Sequence, residues 1–156
     1  MMIRKIIATL GFAVAISASA HAQNIVIGLS APVTGPAATA AVWERWGVDA
    51  ALEEINSSGG LLGRTVEIMS LDNHCNPAEA VNVANKLVEA KVAAIIGAHC
   101  SSVTLASIPI ILAAKIPMIT IVSTAPAITD ESGVDGNDQM FRFCPSDQDM
   151  MDALAL

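Results

Sequence analysis

Short runs of aliphatic and β-branched residues alternate with longer stretches whose apolar positions recur every three to four residues, from Asn24 to the end of the chain. The first pattern is that of a strand buried in a sheet and the second that of a helix packed on it. The alternation therefore predicts successive βα units around an open parallel sheet, an α/β fold. Strands are expected at 25–29, 65–71, 92–96, 117–122 and 140–143, helices at 40–56, 77–90 and 102–114, and a short helical turn at 125–129. Pro32, Gly35 and Pro36 keep the first loop irregular, and Ser57-Ser58-Gly59-Gly60 stops the first helix. In that helix Val48, Leu52 and Ile55 form the inward stripe, which puts Trp43 and Trp46 about opposite. Asn76 is placed to cap the second helix ahead of Pro77, with Val81, Ala84 and Val88 as its inner face. Pro109 either kinks the third helix or starts it a second time. A polar segment at 129–138 leads to the fifth strand. Ser146 and Asp147 then open a last helix with only about two turns before Leu156 and no C-cap, the ending of a chain cut within a longer architecture.

The beginning follows a different rule. Arg4 and Lys5 precede an apolar run over 6–16, and Ala20-His21-Ala22 closes the segment with an A-x-A pattern, which reads as a cleavable secretory signal over 1–22. Gln23 follows where a lipid-anchored start needs cysteine, and the run is shorter than the ~20 residues of a membrane span. The apolar stretch 108–122 is broken by Pro109, Lys115 and Pro117, so no second span is expected. The exported chain is thus expected to be 23–156, with no membrane insertion after cleavage.

Composition agrees with a packed lobe. Of 156 residues 53% are hydrophobic and only 3% aromatic, which excludes disorder and suits close packing of helices on a sheet through Ala, Val, Ile and Leu. Eight basic residues against fifteen acidic give a net charge of −7. The basic residues do not cluster, so no phosphate-neutralising surface exists and nucleic acid is excluded as a partner. Removing residues 1–22 from 156 leaves 134, with six basic side chains against the same fifteen acidic ones. Export also bears on Cys75, Cys100 and Cys144: two are expected to pair in an oxidising compartment, and the count alone allows three pairings. Cys75 follows the second strand and Cys100 the third, at the same edge of the sheet, which favours that pair and leaves Cys144 as a free thiol. A bridge across 24 intervening residues contributes about 3 kcal/mol in the chain-entropy model.

Ligands of open parallel sheets bind outside the carboxyl ends of the strands. Three loops there are rich in small hydroxyls: 30–36, 100–104 and 122–126. The last two run directly into helices, where unpaired N–H groups and the helix dipole favour an anion such as a carboxylate, although Ser and Thr at such places also serve as plain caps. Catalysis finds little footing. Gly28 and Gly35 are too far apart for a dinucleotide fingerprint, no phosphate-binding G-x-x-x-x-G-K-[ST] loop is present, and no cofactor is expected. Gly97-Ala98-His99-Cys100-Ser101 lacks the final glycine of a nucleophile elbow. The pairs His74-Cys75 and His99-Cys100 suggest a Cys₂His₂ zinc site, but adjacent residues point apart in extended backbone, so no metal site is expected.

Several stretches, in order and at their spacing, resemble the type I periplasmic solute-binding proteins, most closely the leucine/isoleucine/valine-binding branch. They are Ile25-Val26-Ile27-Gly28 leading to Thr34-Gly35-Pro36, Ala51-Leu52-Glu53-Glu54-Ile55-Asn56 before Gly59-Gly60, and Asp72 and Cys75 before Pro77. Ala80-Val81, Ala84-Asn85-Lys86-Leu87, Ile95-Ile96-Gly97 followed by Cys100-Ser101-Ser102, Thr124-Ala125-Pro126 and Phe141-Arg142 complete the set. The resemblance implies the first lobe of a two-lobed receptor with strand order 2-1-3-4-5 and helices on both faces. Such a receptor is not an enzyme; it closes on a small ligand and delivers it to an inner-membrane ABC permease. The family's grip on the α-carboxylate and ammonium of an amino acid falls on Ser101, Ser102, Val122, Ser123 and Thr124. Ser101 would give its hydroxyl and N–H, Val122 its carbonyl, and Thr124 its hydroxyl and backbone. The family's paired cysteines fall on Cys75 and Cys100. Ala40 stands where the branch carries an aromatic residue over the ligand side chain, which opens the pocket to a larger ligand. A single lobe is half a clamp, so this chain alone is expected to bind amino acids weakly if at all. The alternative is the same lobe in a secreted sensor or amide-responsive regulator, which would bind ligand but signal to a partner.

Overall fold

The computed structural model describes residues 23–133 and 138–155. The export signal expected at 1–22 and part of the polar segment 129–138 lie outside the described residues. In chain order the elements are β1 (Ile25–Ala31), α1 (Ala38–Ser57), β2 (Val66–Asp72), α2 (Pro77–Glu89), β3 (Ala94–Gly97), α3 (Ser101–Ala114), β4 (Met118–Thr120), α4 (Pro126–Glu131), β5 (Met140–Arg142) and α5 (Asp147–Leu154). All strand pairs are parallel and the order is β2-β1-β3-β4-β5, as the resemblance implies. Each strand is followed by a helix, so every connection crosses back over the sheet and every loop after a strand opens on one edge.

Strand period and register divide the apolar residues between two faces. Ile95, Met118 and Met140 stand in one row across β3, β4 and β5, all but fully buried in the main core with Val103, Ile108 and Ile111 of α3. The smaller core on the other face is built on Leu29, Ala31 and Ala41, with Val48 of α1 against Ile68 and Ile96.

Three expectations need correction. α2 buries Ala80, Val83, Ala84 and Leu87, while Val81 is exposed. Both stripes have helical period and share Ala84. The choice is made by Gly28, where a Cβ would stand 2.9 Å from Leu87 Cδ2, so the missing side chain on β1 is the notch that takes Leu87. The stripe Val48, Leu52 and Ile55 on α1 is only partly covered, with Ile55 37% exposed, and Trp43 and Trp46 stand about two-thirds in solvent. α3 runs through Pro109 as one helix, with Val103, Thr104, Ser107, Ile108 and Ile111 buried along one side.

The predicted caps hold. The Asn76 side chain accepts from the Ala78 and Glu79 N–H groups at 2.8 and 3.4 Å, and Ser146 forms a reciprocal capping box with Asp149 at the start of α5. The Ser146 hydroxyl and N–H, together with the Arg142 charge, hold the Asp149 carboxyl below the usual carboxylate range against the opposing effect of burial.

Candidate ligand-binding site

β3 and β4 are neighbours, so the loops that follow them lie side by side at the carboxyl edge. That places Ser101 and Ser102 at the first turn of α3, next to the segment Val122-Ser123-Thr124 before α4. The link between the loops is direct: the Ala125 N–H donates to Ser101 Oγ at 3.3 Å. α3 begins at Cys100 as its N-cap with no side-chain cap. The N–H groups of its first turn therefore face the edge without a side-chain acceptor, the arrangement that suits a carboxylate.

The second loop differs from expectation. α4 has six residues and opens on Pro126, which has no N–H to offer, so of the two helices only α3 presents the N-terminus that was expected. What the β4 loop contributes is a fixed platform. Thr120 Oγ1 and Ser123 Oγ both donate to the Ala98 carbonyl at 2.8 Å, and Ser123 Oγ stands 2.8 Å from Thr104 Oγ1. All three hydroxyl residues are essentially fully buried. Ser123 therefore supports the site from beneath instead of lining it. Val122 is half-buried in the loop two residues past β4. The Thr124 carbonyl accepts from the Asp147 N–H at 2.9 Å and from Arg142, whose guanidinium also reaches the Ala125 carbonyl at 3.0 Å and the Thr129 hydroxyl. These bonds tie the loop after β5 to the same platform.

On the other flank Cys75 and Cys100 are joined, with a Cα–Cα distance of 5.6 Å, so the loops after β2 and β3 are clamped across the end of β1. Joined to each other, these sulfurs are withdrawn from metal binding, and among the described residues no cluster of ligands for a metal ion is present. Cys144 is free and half-buried. The Asn73 side chain, also buried, donates to Ser30 Oγ and accepts from the Cys75 N–H. Asp72 accepts from the Thr34 hydroxyl and N–H at 2.7 and 3.0 Å and from the His74 N–H at 2.9 Å. Burial pushes the Asp72 carboxyl up, but the Thr34 and His74 hydrogen bonds and the His74 charge together outweigh it and bring it below its ordinary value. Its contribution to stability is therefore full above the unfolded pKa of about 4 and is lost as pH falls through the lower native value. Urea midpoints of Thr34→Ala between pH 5 and pH 2.5 should show a shallower acid loss than the parent chain; parallel acid limbs would show that Thr34 does not stabilise the carboxylate.

Ala40 lies inside α1, half-buried in its first turn, because the helix starts two residues earlier than expected. The sequence pattern does not single out Thr120 or Asn73. Thr120 interrupts an apolar run with one small polar residue, a weak signal of a buried hydrogen-bonding position, whereas Asn73, between Asp72 and His74, carries no such signal.

The parallel lobe thus presents at its loop edge a helix N-terminus without a side-chain cap and a set of fixed hydroxyls. Comparisons with known proteins give its family. The periplasmic binding protein family matches residues 24–156. The chain is 38% identical over 150 residues to an amino acid binding protein of Pseudomonas aeruginosa, covering 94% of this chain and 38% of that one. It is 42% identical over 119 residues to the leucine-, isoleucine-, valine-, threonine- and alanine-binding protein of the same organism, covering 76% of this chain and 31% of that one. Among solved structures, the branched-chain amino acid transporter substrate binding protein of Streptococcus pneumoniae in complex with isoleucine superposes with a TM-score of 0.73 at 31% identity, over 80% of this chain and 35% of that one. The chain belongs to the periplasmic binding protein family, and it spans about a third of the length of these relatives. Among the described residues no helix is long and apolar enough to cross a membrane.

Proposed function

We propose that this chain is the ligand-gripping lobe of the extracytoplasmic substrate-binding component of an ABC-type amino-acid uptake system, with an inner-membrane permease as its partner. The relatives' named ligands support the branched-chain class. The observation that carries the reading is the open first turn of α3 beside the β4 loop, bridged by Ser101. In this reading the α-carboxylate lies on the Ser101 hydroxyl and the N–H groups of Ser101 and Ser102. The ammonium faces the Val122 carbonyl, and the Thr124 hydroxyl and N–H complete the grip. Ser123 acts by holding the loop, and Ala40 leaves space for the ligand side chain.

The test is an amide-resolved NMR titration of residues 23–156 with isoleucine, with isoleucinamide as control. The expected result is millimolar binding with shifts centred on 101–103 and 122–125, lost in Ser101→Ala and absent for the amide. Shifts centred elsewhere, equal binding of the amide, or micromolar affinity for this lobe alone would overturn the reading.

A further inference from the structure

His99 joins the loops at the carboxyl edge to α1. It lies two residues past β3 and two before Ser101, and its carbonyl accepts from Ser123 Oγ at 3.2 Å. Its ring turns to α1, where Nδ1 stands 2.7 Å from Glu44 Oε1. A carboxylate only accepts, so this bond puts a proton on Nδ1 and leaves Nε2 as the other ring nitrogen to be satisfied. Among the described residues Nε2 has no partner, and the side chain is 25% exposed.

Glu44 is enclosed. Its side chain is 6% exposed, and its Oε2 is the one buried side-chain oxygen or nitrogen among the described residues that has no partner. The neighbouring Arg45 is paired with Asp49, so His99 is the donor that Glu44 meets. A carboxylate enclosed on such terms is costly, and what it secures here is a fixed imidazole. Ala40 and Glu44 stand one turn apart on the same face of α1, with ~6 Å between their Cβ atoms. Held by Glu44, the ring therefore spans from the turn after Ala40 to the loop that leads into Ser101. Those are the places given above to the ligand's side chain and to its α-carboxylate.

We propose that His99 is a specificity-determining residue of the ligand site, which prefers an amino acid whose side chain carries an uncharged hydrogen-bond donor, a hydroxyl or a carboxamide, to its aliphatic isostere. Glu44 is the positioning residue behind it. The inference rests on the reading of Ser101 as the carboxylate grip and deepens that reading at the side-chain end. The chemistry is directional. With the proton on Nδ1, a neutral ring offers Nε2 as an acceptor, which a hydroxyl or an amide N–H satisfies. An aliphatic side chain of the same shape displaces water from Nε2 and supplies no donor, so discrimination follows from the nitrogen left unpaired. Because the ring keeps some contact with water, the preference is expected at about fivefold, the lower end of such penalties.

Residues 23–156 with the disulfide intact are titrated by NMR with two isosteric pairs, threonine against valine and asparagine against leucine. Backbone amides report where each ligand sits, and isotope-labelled imidazole nitrogens report the rings. This stretch holds two histidines, and His74, bonded to Thr34, serves as the internal control. The polar member of each pair should bind about fivefold more tightly and shift the Nε2 resonance of His99 but not that of His74. His99→Leu should bring both ratios to within about twofold. Glu44→Ala should do the same, whereas Glu44→Gln, whose side-chain carbonyl still accepts from Nδ1, should keep the preference. Equal binding within both pairs, a preference that survives His99→Leu, or a polar ligand that leaves Nε2 unmoved overturns this inference and leaves the Ser101 grip standing. Tighter binding of aspartate than of asparagine also overturns it, since the ring would then be a cation selecting an anion. If no member of either pair shifts 101–103, the Ser101 reading fails and this inference fails with it.

Discussion

Replacing Gly97 by alanine is expected to destabilise the lobe by on the order of 4 kcal/mol, the range of diagnostic backbone and burial defects. Gly97 ends β3 at φ +119°, in register with Ser30 of β1, and a Cβ there would stand 2.2 Å from the Ser30 carbonyl oxygen and 3.1 Å from its carbon. Both are backbone atoms of a central strand and cannot swing aside as a side-chain tip could. The damage would reach the candidate site, because the next residue, Ala98, is fully buried and its carbonyl takes the Thr120 and Ser123 hydroxyls that join the loops after β3 and β4. With urea slopes of ~2 kcal/mol/M, the midpoint should fall by about 2 M at unchanged slope. A loss under about 1 kcal/mol would mean that Ser30 can move, and the rigid platform argued for Ser101 and Thr124 would fail with it.

The second large effect is expected from the disulfide. Opening Cys75–Cys100, by reduction or by changing both residues to Ser, should cost about 3 kcal/mol, since the bridge closes a separation of 25 residues in the unfolded chain. For a lobe of this size that is a fall of roughly 10–15 °C in Tm. The transition should stay cooperative, because both sulfurs lie at the loop edge and the main core is hydrocarbon from the helices and the sheet. Cys144→Ser, with its thiol near the Ser123 carbonyl, should leave the sensitivity to reductant unchanged. If reductant has no effect on Tm in the parent chain, or if Cys144→Ser removes the effect, the pairing is wrong.

Most of the fold was legible because a buried parallel strand and an amphipathic helix write different periods into the chain. Those periods placed five strands and their helices to within a few residues. Ends were less legible: β4 stops at Thr120, not at Val122, because pairing with β3 and β5 ends there, and residue type cannot show where pairing stops. The candidate site was legible to the extent that position implies it. Loops after adjacent strands must converge, so Ser101 and Thr124 could be placed at one edge of the sheet. Their roles could not be separated in advance, since Ser123 and Thr124 are chemically alike and only burial distinguishes the one that holds the loop from the one that faces outward. Glu44 shows the limit best. Between Trp43 and Arg45 on a helix it reads as a solvated charge, yet His99, fifty-five residues later, and the apolar flank of the sheet enclose it.

The sequence by itself determined the order of strands and helices, the parallel sheet, the edge where a ligand can sit and the cysteines that brace it, because local periodicity and chain order suffice for each. Only the tertiary structure decided which stripe of α2 turns inward, which hydroxyls are free and which face of the sheet remains open. Those outcomes depend on close approach between residues far apart in the chain: Leu87 into the space left by Gly28, Ser123 onto the Ala98 carbonyl, and Glu44 beside His99 with one oxygen unpaired.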